Sequence, residues 1–257
     1  PAIAAAARIA AATELWRIGG VQAIAAFALG TASVPRVDKI VGPGNAYVTE
    51  AKRQLGGEVG FDSLAGPTEV LVLAEEGVAD PRWIACDLIA QAEHDPEARS
   101  VLVTTSAALV EAVEAALARE TIGPVARQAL EAHGLAVVAP DLDAAVAFAE
   151  KYAPEHLELL VQDVDGVLSR ITTSGCVFVG PYTPVPVGDY LAGANHTLPT
   201  AGTGRFASGL SVHDFLRRQS VVRYERERLE RDAPALRALA DAEGLPAHAR
   251  AVEVRAE

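Results

Sequence analysis

Two hydrophobic rhythms run along the chain. Short runs dense in Val and Leu predict strands: "EVLVLAEE" at 69–76, "SVLVTTS" at 100–106, "GLAVVAP" at 134–140 and "CVFVG" at 176–180. A short buried strand is also expected in "VDKIVG" at 37–42, ahead of the glycine loop and helix of "GPGNAYVTEAKRQ". Between the strands, apolar residues return at helical spacing. This predicts helices over 2–18, Gln22–Leu29, 81–94 and 106–119, and one capped by Asp141 or Asp143 that runs into the strand of "PEHLELL". Strands alternating with helices of this length predict an α/β fold, a parallel sheet covered on both faces.

Past residue 205 the alternation stops. The remainder is helical and charge-rich, with no strand until its last few residues, an N-cap expected at Asp232 before Ala233-Pro234, and a stop at Gly244. Such a tail has little core of its own and must pack on the α/β body or on another subunit. The expected division is 1–69, 70–205 and a helical tail over 206–257.

Composition narrows the possibilities. Half of the 257 residues are apolar and 22% are charged, which describes a globular chain with ample core. No apolar run reaches the roughly 18–20 residues of a membrane span. "PAIAAAARIAAATELWRIGG" lacks the basic start and cleavage site of a signal peptide. A net charge of −12 disfavours nucleic acid or an anionic membrane as partner. Cys86 and Cys176 are too few for a disulfide scaffold or thiolate zinc site, which fits a reducing cytoplasm. Starting at Pro1 with no Met, the chain reads as processed, engineered or a piece of a longer one.

Five stretches carry candidate chemistry. In "QAEHDP", Gln91 and His94 lie about 60° apart on an ideal helix, while Glu93 points the other way. They either converge on one object or satisfy the helix-end carbonyls. In "YAPEHLEL", Glu155 beside His156 suits water activation or proton shuttling, or a solvated turn; HExxH spacing is absent. In "GDYLAGANHTLPT", Asp189 and His196 sit in a Gly-rich loop and offer zinc-compatible donors, or a cap and a hydrogen-bonded imidazole. "IVGPGNAYVTEAKR" offers an anion cradle at a helix start, with Asn45 a cofactor contact or only an N-cap. "DAEGLPAHAR" puts Glu243 and His248 on the tail, where both residue types are common on exposed helices. His133 and His213 have no supporting neighbours.

The order of these blocks, with "GGVQAIAAFALGT", "AGPTEVLVLA", "CDLIAQAEHDP" and "SGCVFVG", closely resembles histidinol dehydrogenase from about residue 14 to the end. That resemblance implies Rossmann-like parallel sheets and oxidation of L-histidinol to L-histidine through an aldehyde, with reduction of two NAD and a bound zinc. Gln91, His94, Asp189 and His248 match the zinc ligands, the last supplied by the partner of a homodimer. Glu155 and His156 match the catalytic pair, Glu155 activating water and His156 serving as general base. Thr68, His196 and Glu243 match substrate contacts, as do the ligands and His156, with Thr68 replacing the usual Ser. Gln22 and Asn45 match NAD contacts. Zinc could position the substrate or act as a Lewis acid. Family members carry well over a hundred residues ahead of the point matching Pro1, so the resemblance also implies an incomplete Rossmann-like scaffold here. The rival readings are a chain that keeps zinc ligands but lacks a complete NAD site, or a homologue acting on another amino alcohol.

Overall fold

A computed structural model describes residues 2–256. The chain opens with α1 (Ala2–Ile9), none of whose side chains is buried. The expected helix over 2–18 therefore stops early: Ala11 turns left-handed at φ 54°, and no packed face holds the next turns helical. α2 (Gly20–Leu29) follows, then β1 (Lys39–Ile40), α3 (Ala46–Leu55) and β2 (Gly60–Phe61). β1 and β2 form a two-residue parallel pair, so the 37–42 strand is shorter and less buried than expected, and β2 was not anticipated.

The main sheet is built from β3 (Glu69–Ala74), β4 (Arg99–Thr104), β5 (Leu135–Val138), β6 (His156–Leu160) and β7 (Cys176–Val179). All pairings are parallel, in spatial order β5-β4-β3-β6-β7. The chain winds outward in one direction from β3 to β5 and in the other from β6 to β7, so β3 and β6 flank a topological switch point. One face packs Val70, Val72 and Leu160 against Ile84 and Leu88 of α4 (Pro81–Ala92) and Leu109 and Val113 of α5 (Ala107–Leu117). A further helix, α6 (Pro124–His133), packs Ala126 and Ala129 with Ala92 and Ala98 and was not legible in the sequence. The other face packs Leu71, Leu73 and Leu159 against Val146 and Ala149 of α7 (Leu142–Tyr152) and Val167 of the short α8 (Val164–Leu168). Polar side chains start several of these helices. Asp80 accepts from the Arg82 N–H, Ser106 from Leu109, and Asp141, rather than Asp143, from Ala144.

This unit reaches Phe215 and includes, among the described residues, one more α-helix, α9 (Val185–Tyr190), and two short 3-10 turns at Thr203–Arg205 and Val212–Phe215. A second unit begins at Leu216 and consists of α10 (Arg226–Ala242) and α11 (Pro246–Ala256). Asp232 is not an N-cap: α10 starts six residues earlier and continues through Pro234, while Asp232 pairs with Arg228 and accepts from Tyr224. The closing "VEVRA" is helix, not strand. Gly244, at φ 70°, ends α10 as expected.

Candidate active site

Four of the expected side chains, Thr68, Gln91, Glu155 and His156, gather at the amino ends of β3 and β6, the edge opposite that used by most open α/β sheets. The polarity of the helices makes this possible. Each crossover helix runs antiparallel to the strands, so the C-terminal ends of α4 and α7 return to the strands' starting edge. They deliver Gln91 and the Ala153-Pro154 link there. That link is tight: Ala153 is buried and left-handed at φ 52°. Gly175 lies against it; a Cβ there would meet the Glu155 carbonyl oxygen at 2.7 Å.

The backbone of one residue, Glu69, holds both candidate catalytic side chains. Its N–H donates to Glu155 Oε2 at 3.0 Å, and its carbonyl receives His156 Nδ1 at 3.0 Å. A carbonyl can only accept, so Nδ1 carries the imidazole proton and Nε2 keeps the lone pair. Thr68 Oγ1 donates to Glu155 Oε2 at 2.6 Å and accepts from Gln91 Nε2 at 2.9 Å. The Glu69 carboxylate turns to the other face, where it accepts from Tyr152 OH at 3.2 Å and Ala201 N at 3.0 Å. It thereby ties the 199–201 loop to β3.

Burial dominates the electrostatics. It pushes the Glu155 carboxyl up to about 7 against the hydrogen bonds from Thr68 and the Glu69 N–H, and Asp189 pushes it further in the same direction. Burial pushes the His156 imidazole down, outweighing its bond to the Glu69 carbonyl. An imidazole kept neutral beside a carboxyl poised near neutrality is a pair able to exchange protons at physiological pH. His94 and Asp189 both act electrostatically on Glu155 and on His156, which places them around the same centre.

Three atoms here are left free: His156 Nε2, Glu155 Oε1 and Gln91 Oε1 accept no hydrogen bond among the described residues. None is sealed from solvent either, since only Glu158 Oε2 and Ser174 Oγ are buried without a partner there. The bonded cluster thus keeps a base nitrogen, a carboxylate oxygen and an amide oxygen without a partner among the described residues.

The expected positions divide as follows. Thr68, Gln91, Glu155 and His156 form one bonded cluster, with His94 and Asp189 about it. His94 is not on the helix as expected: α4 ends at Ala92, and His94 lies in the bend beyond it, so the 60° relation to Gln91 does not apply. Asp189 is not in a loop but in α9; "VPVGDY" is too short to show a helical period. His196 is exposed in the loop before Thr197. Asn45 caps α3, accepting from Val48 N at 3.1 Å, and Gln22 is exposed on α2; no hydrogen bond or ion pair joins either to the cluster. Glu243 closes α10 and His248 sits on α11, both exposed, in the second unit. Among the described residues no three His, Cys, Asp or Glu side chains gather as a metal site. Of the four expected zinc ligands, the first unit carries three, Gln91, His94 and Asp189: one amide, one imidazole and one carboxylate.

Sequence reasoning missed Glu69, Tyr152, Asp87 and Glu158. The signal for two of them was present: a charge inside an apolar strand buried on both faces, as in "EVLVLA" and "HLELL", demands a partner.

The sequence model of the family described as histidinol dehydrogenase matches residues 1–256. A histidinol dehydrogenase of Zymomonas mobilis is 49% identical over 256 residues, covering 98% of this chain and 59% of its own length. A protein named histidinol dehydrogenase 2 from a Nostoc species is 50% identical over 259 residues, covering 99% of this chain and 60% of its own. The crystal structure of histidinol dehydrogenase from Elizabethkingia anophelis superposes with a TM-score of 0.90 at 35% identity, over 97% of this chain and 58% of that one. The chain thus spans about three fifths of the length of these relatives.

Proposed function

Since the chain belongs to the histidinol dehydrogenase family, we propose that it carries out the two-step oxidation of L-histidinol to L-histidine with two NAD and one zinc, as part of histidine biosynthesis. The observation that carries this reading is the bonded cluster of Thr68, Gln91, Glu155 and His156, which leaves His156 Nε2, Glu155 Oε1 and Gln91 Oε1 uncommitted.

His156 takes the alcohol proton on Nε2, because Nδ1 is already occupied by the Glu69 carbonyl. Glu155 removes a proton from the water that adds to the aldehyde. That addition is required because the second hydride can leave for NAD only from a carbon bearing two oxygens. Thr68 holds Glu155 through its hydroxyl and is itself aimed by Gln91, leaving the Gln91 carbonyl free. The donor chemistry fits zinc: Gln91, His94 and Asp189 would hold it together with His248. When bound, zinc supplies a fixed positive charge that orients the substrate's imidazole and amine or polarises its alcohol oxygen. Gln22 and Asn45 contact the nicotinamide dinucleotide, whose chemical contribution is to accept the electrons of each step.

His196 and Glu243 contact substrate, and His248 comes from a second copy of the chain. Leu216, Val221 and Val222, all exposed by at least 65%, support a partner surface near the start of the helical unit. Free thiols at Cys86 and Cys176 suit a cytoplasmic setting, and no helix among the described residues is long and apolar enough to cross a membrane.

The deciding experiment measures NADH formed per L-histidinol consumed at limiting substrate with zinc present. Two NADH per substrate is the expected result. None, from a folded and zinc-loaded sample, favours a chain that keeps the ligands without the activity. Mixing His94→Ala with His248→Ala subunits tests the shared site: activity should partly return, and no recovery at any ratio rejects it.

A further inference from the structure

β6 carries a second buried carboxyl that the proposed chemistry does not use. Glu158 lies two residues beyond His156, on the side of the sheet lined by Leu160, Phe178 and Val185. Its Oε1 accepts from the Val185 N–H at 3.1 Å, at the first residue of α9. Its Oε2 is sealed from solvent and receives no N–H or ordinary hydroxyl from the described residues. The group that reaches Glu158 is the carboxyl of Asp87, from α4. Two ionised carboxylates only accept and repel, so this contact holds when one of them carries a proton and donates it to the other. The resulting O–H···O⁻ bond is of the strong, charge-assisted kind.

The placement of the pair matters more than its strength. Asp87 precedes Gln91 by one turn of α4, Glu158 follows His156 on β6, and Val185 precedes Asp189 by one turn of α9. We propose that Asp87 and Glu158, sharing one proton, form a positioning latch that fastens α4, β6 and α9 together and so sets the spacing of Gln91, His156 and Asp189. The inference rests on the ligand and base assignments proposed above. Neither acid touches the substrate; both act through the elements they join.

The latch is sensitive to alkali. Asp87 is the charged group acting on Glu158; His156 and Cys176 share its side of the sheet at the amino edge, and Asp189 lies towards the end of α9. Burial and then repulsion from Asp87 push Glu158 up to about 8, and burial also raises Asp87. The folded protein therefore holds this proton more tightly than the unfolded chain does. The contribution is fully present below the ordinary carboxyl range and is lost as pH rises through about 8.

The test compares wild type with Asp87→Asn, whose amide N–H can donate to the Glu158 carboxylate with no shared proton. Infrared spectra near neutral pH should show one protonated carboxyl fewer in Asp87→Asn. Zinc retained after dialysis should fall in wild type relative to Asp87→Asn by up to about tenfold in affinity per pH unit once the pair gives up its proton. Asp87→Ala, which leaves Glu158 Oε2 without a donor, should retain zinc poorly throughout. An unchanged carboxyl band, or coincident zinc–pH curves for wild type and Asp87→Asn, would overturn the latch. Should Asp87→Asn fail to fold, Glu158→Gln replaces it, since its amide can accept from Val185 and donate to Asp87. His94→Ala separates the two ideas: unaltered zinc retention there rejects the ligand assignment, while the carboxyl band still reports on the latch.

Discussion

Two of the places where the first unit buries ionisable groups solve the problem in opposite ways. Near the glycine loop, Lys52 and Asp62 are both almost wholly buried and pair at 2.8 Å. They grip one residue from both sides: Lys52 Nζ donates to the Gly42 carbonyl at 2.6 Å, and Asp62 Oδ2 accepts its N–H at 2.7 Å. Burial alone would raise the Asp62 carboxyl, but the bonds from Lys52 and from the Gly42 and Ser63 N–H groups bring it below its ordinary value. At the amino edge of the main sheet, no cation is bonded to Glu155. Its donors are a hydroxyl and one N–H, and its proton affinity rises. A carboxylate pinned by a cation keeps its charge and shapes a loop. One held only by neutral donors keeps a proton within reach, which is what acid–base chemistry needs.

Substitutions can break this contrast, and the largest effect is expected at the sheet edge. His156→Ala should lower turnover by about 10²- to 10⁴-fold while leaving the melting temperature near wild type, measured by steady-state NADH formation and thermal denaturation. The reverse pattern belongs to Lys52→Met. Leaving Asp62 buried without its cation should cost about 3–5 kcal/mol in denaturant titration, with the sheet-edge cluster unaffected. Replacing both members by apolar residues should recover most of that loss. The same pair sets an acid limit. Because the folded Asp62 value is lowered, its contribution is present above the ordinary carboxylate range and lost as pH falls through the folded value, and this acid dependence should be weaker in Lys52→Met.

Smaller effects sharpen the comparison. His94→Ala should weaken zinc retention strongly and Glu93→Ala hardly at all, as read by metal analysis. Equal losses would place the zinc elsewhere. Asn45→Ala should cost about 1 kcal/mol through the lost cap of α3. Asn45→Asp keeps the cap, so a raised KM for NAD at unchanged stability would isolate the contact with the cofactor; unchanged KM leaves Asn45 a cap alone.

Much of the α/β body was legible because strands buried on both faces must be rich in Val and Leu, and their runs stand out between capped helices. Elements too short to repeat a period were not. β2 is two residues long, α8 five and α9 six, and Asp189 was placed in a loop for that reason. α6 has no run of large apolar residues, since it packs through Ala126 and Ala129. In the site, the adjacency of Glu155 and His156 was visible, whereas their shared anchor at Glu69 was not. A backbone peptide offers the same groups whatever its side chain. Gln91 was assigned by resemblance, and its role as the group aiming Thr68 emerges only from the packed helix.

The sheet-edge cluster also has a history within each folding event. The bond from Thr68 to Glu155 spans 87 residues, and those tying Thr200 to Gly66 and Ala201 to Glu69 span 134 and 132. Parallel strands offer no hairpin shortcut, so these loops close only after the intervening helices have docked. Thr68 and Gln91 precede in chain order the partners that complete the cluster. Until the 199–201 loop seats, Glu69 lacks its Ala201 N–H donor. Competence of the site is then a late folding event, separable in time from the appearance of secondary structure.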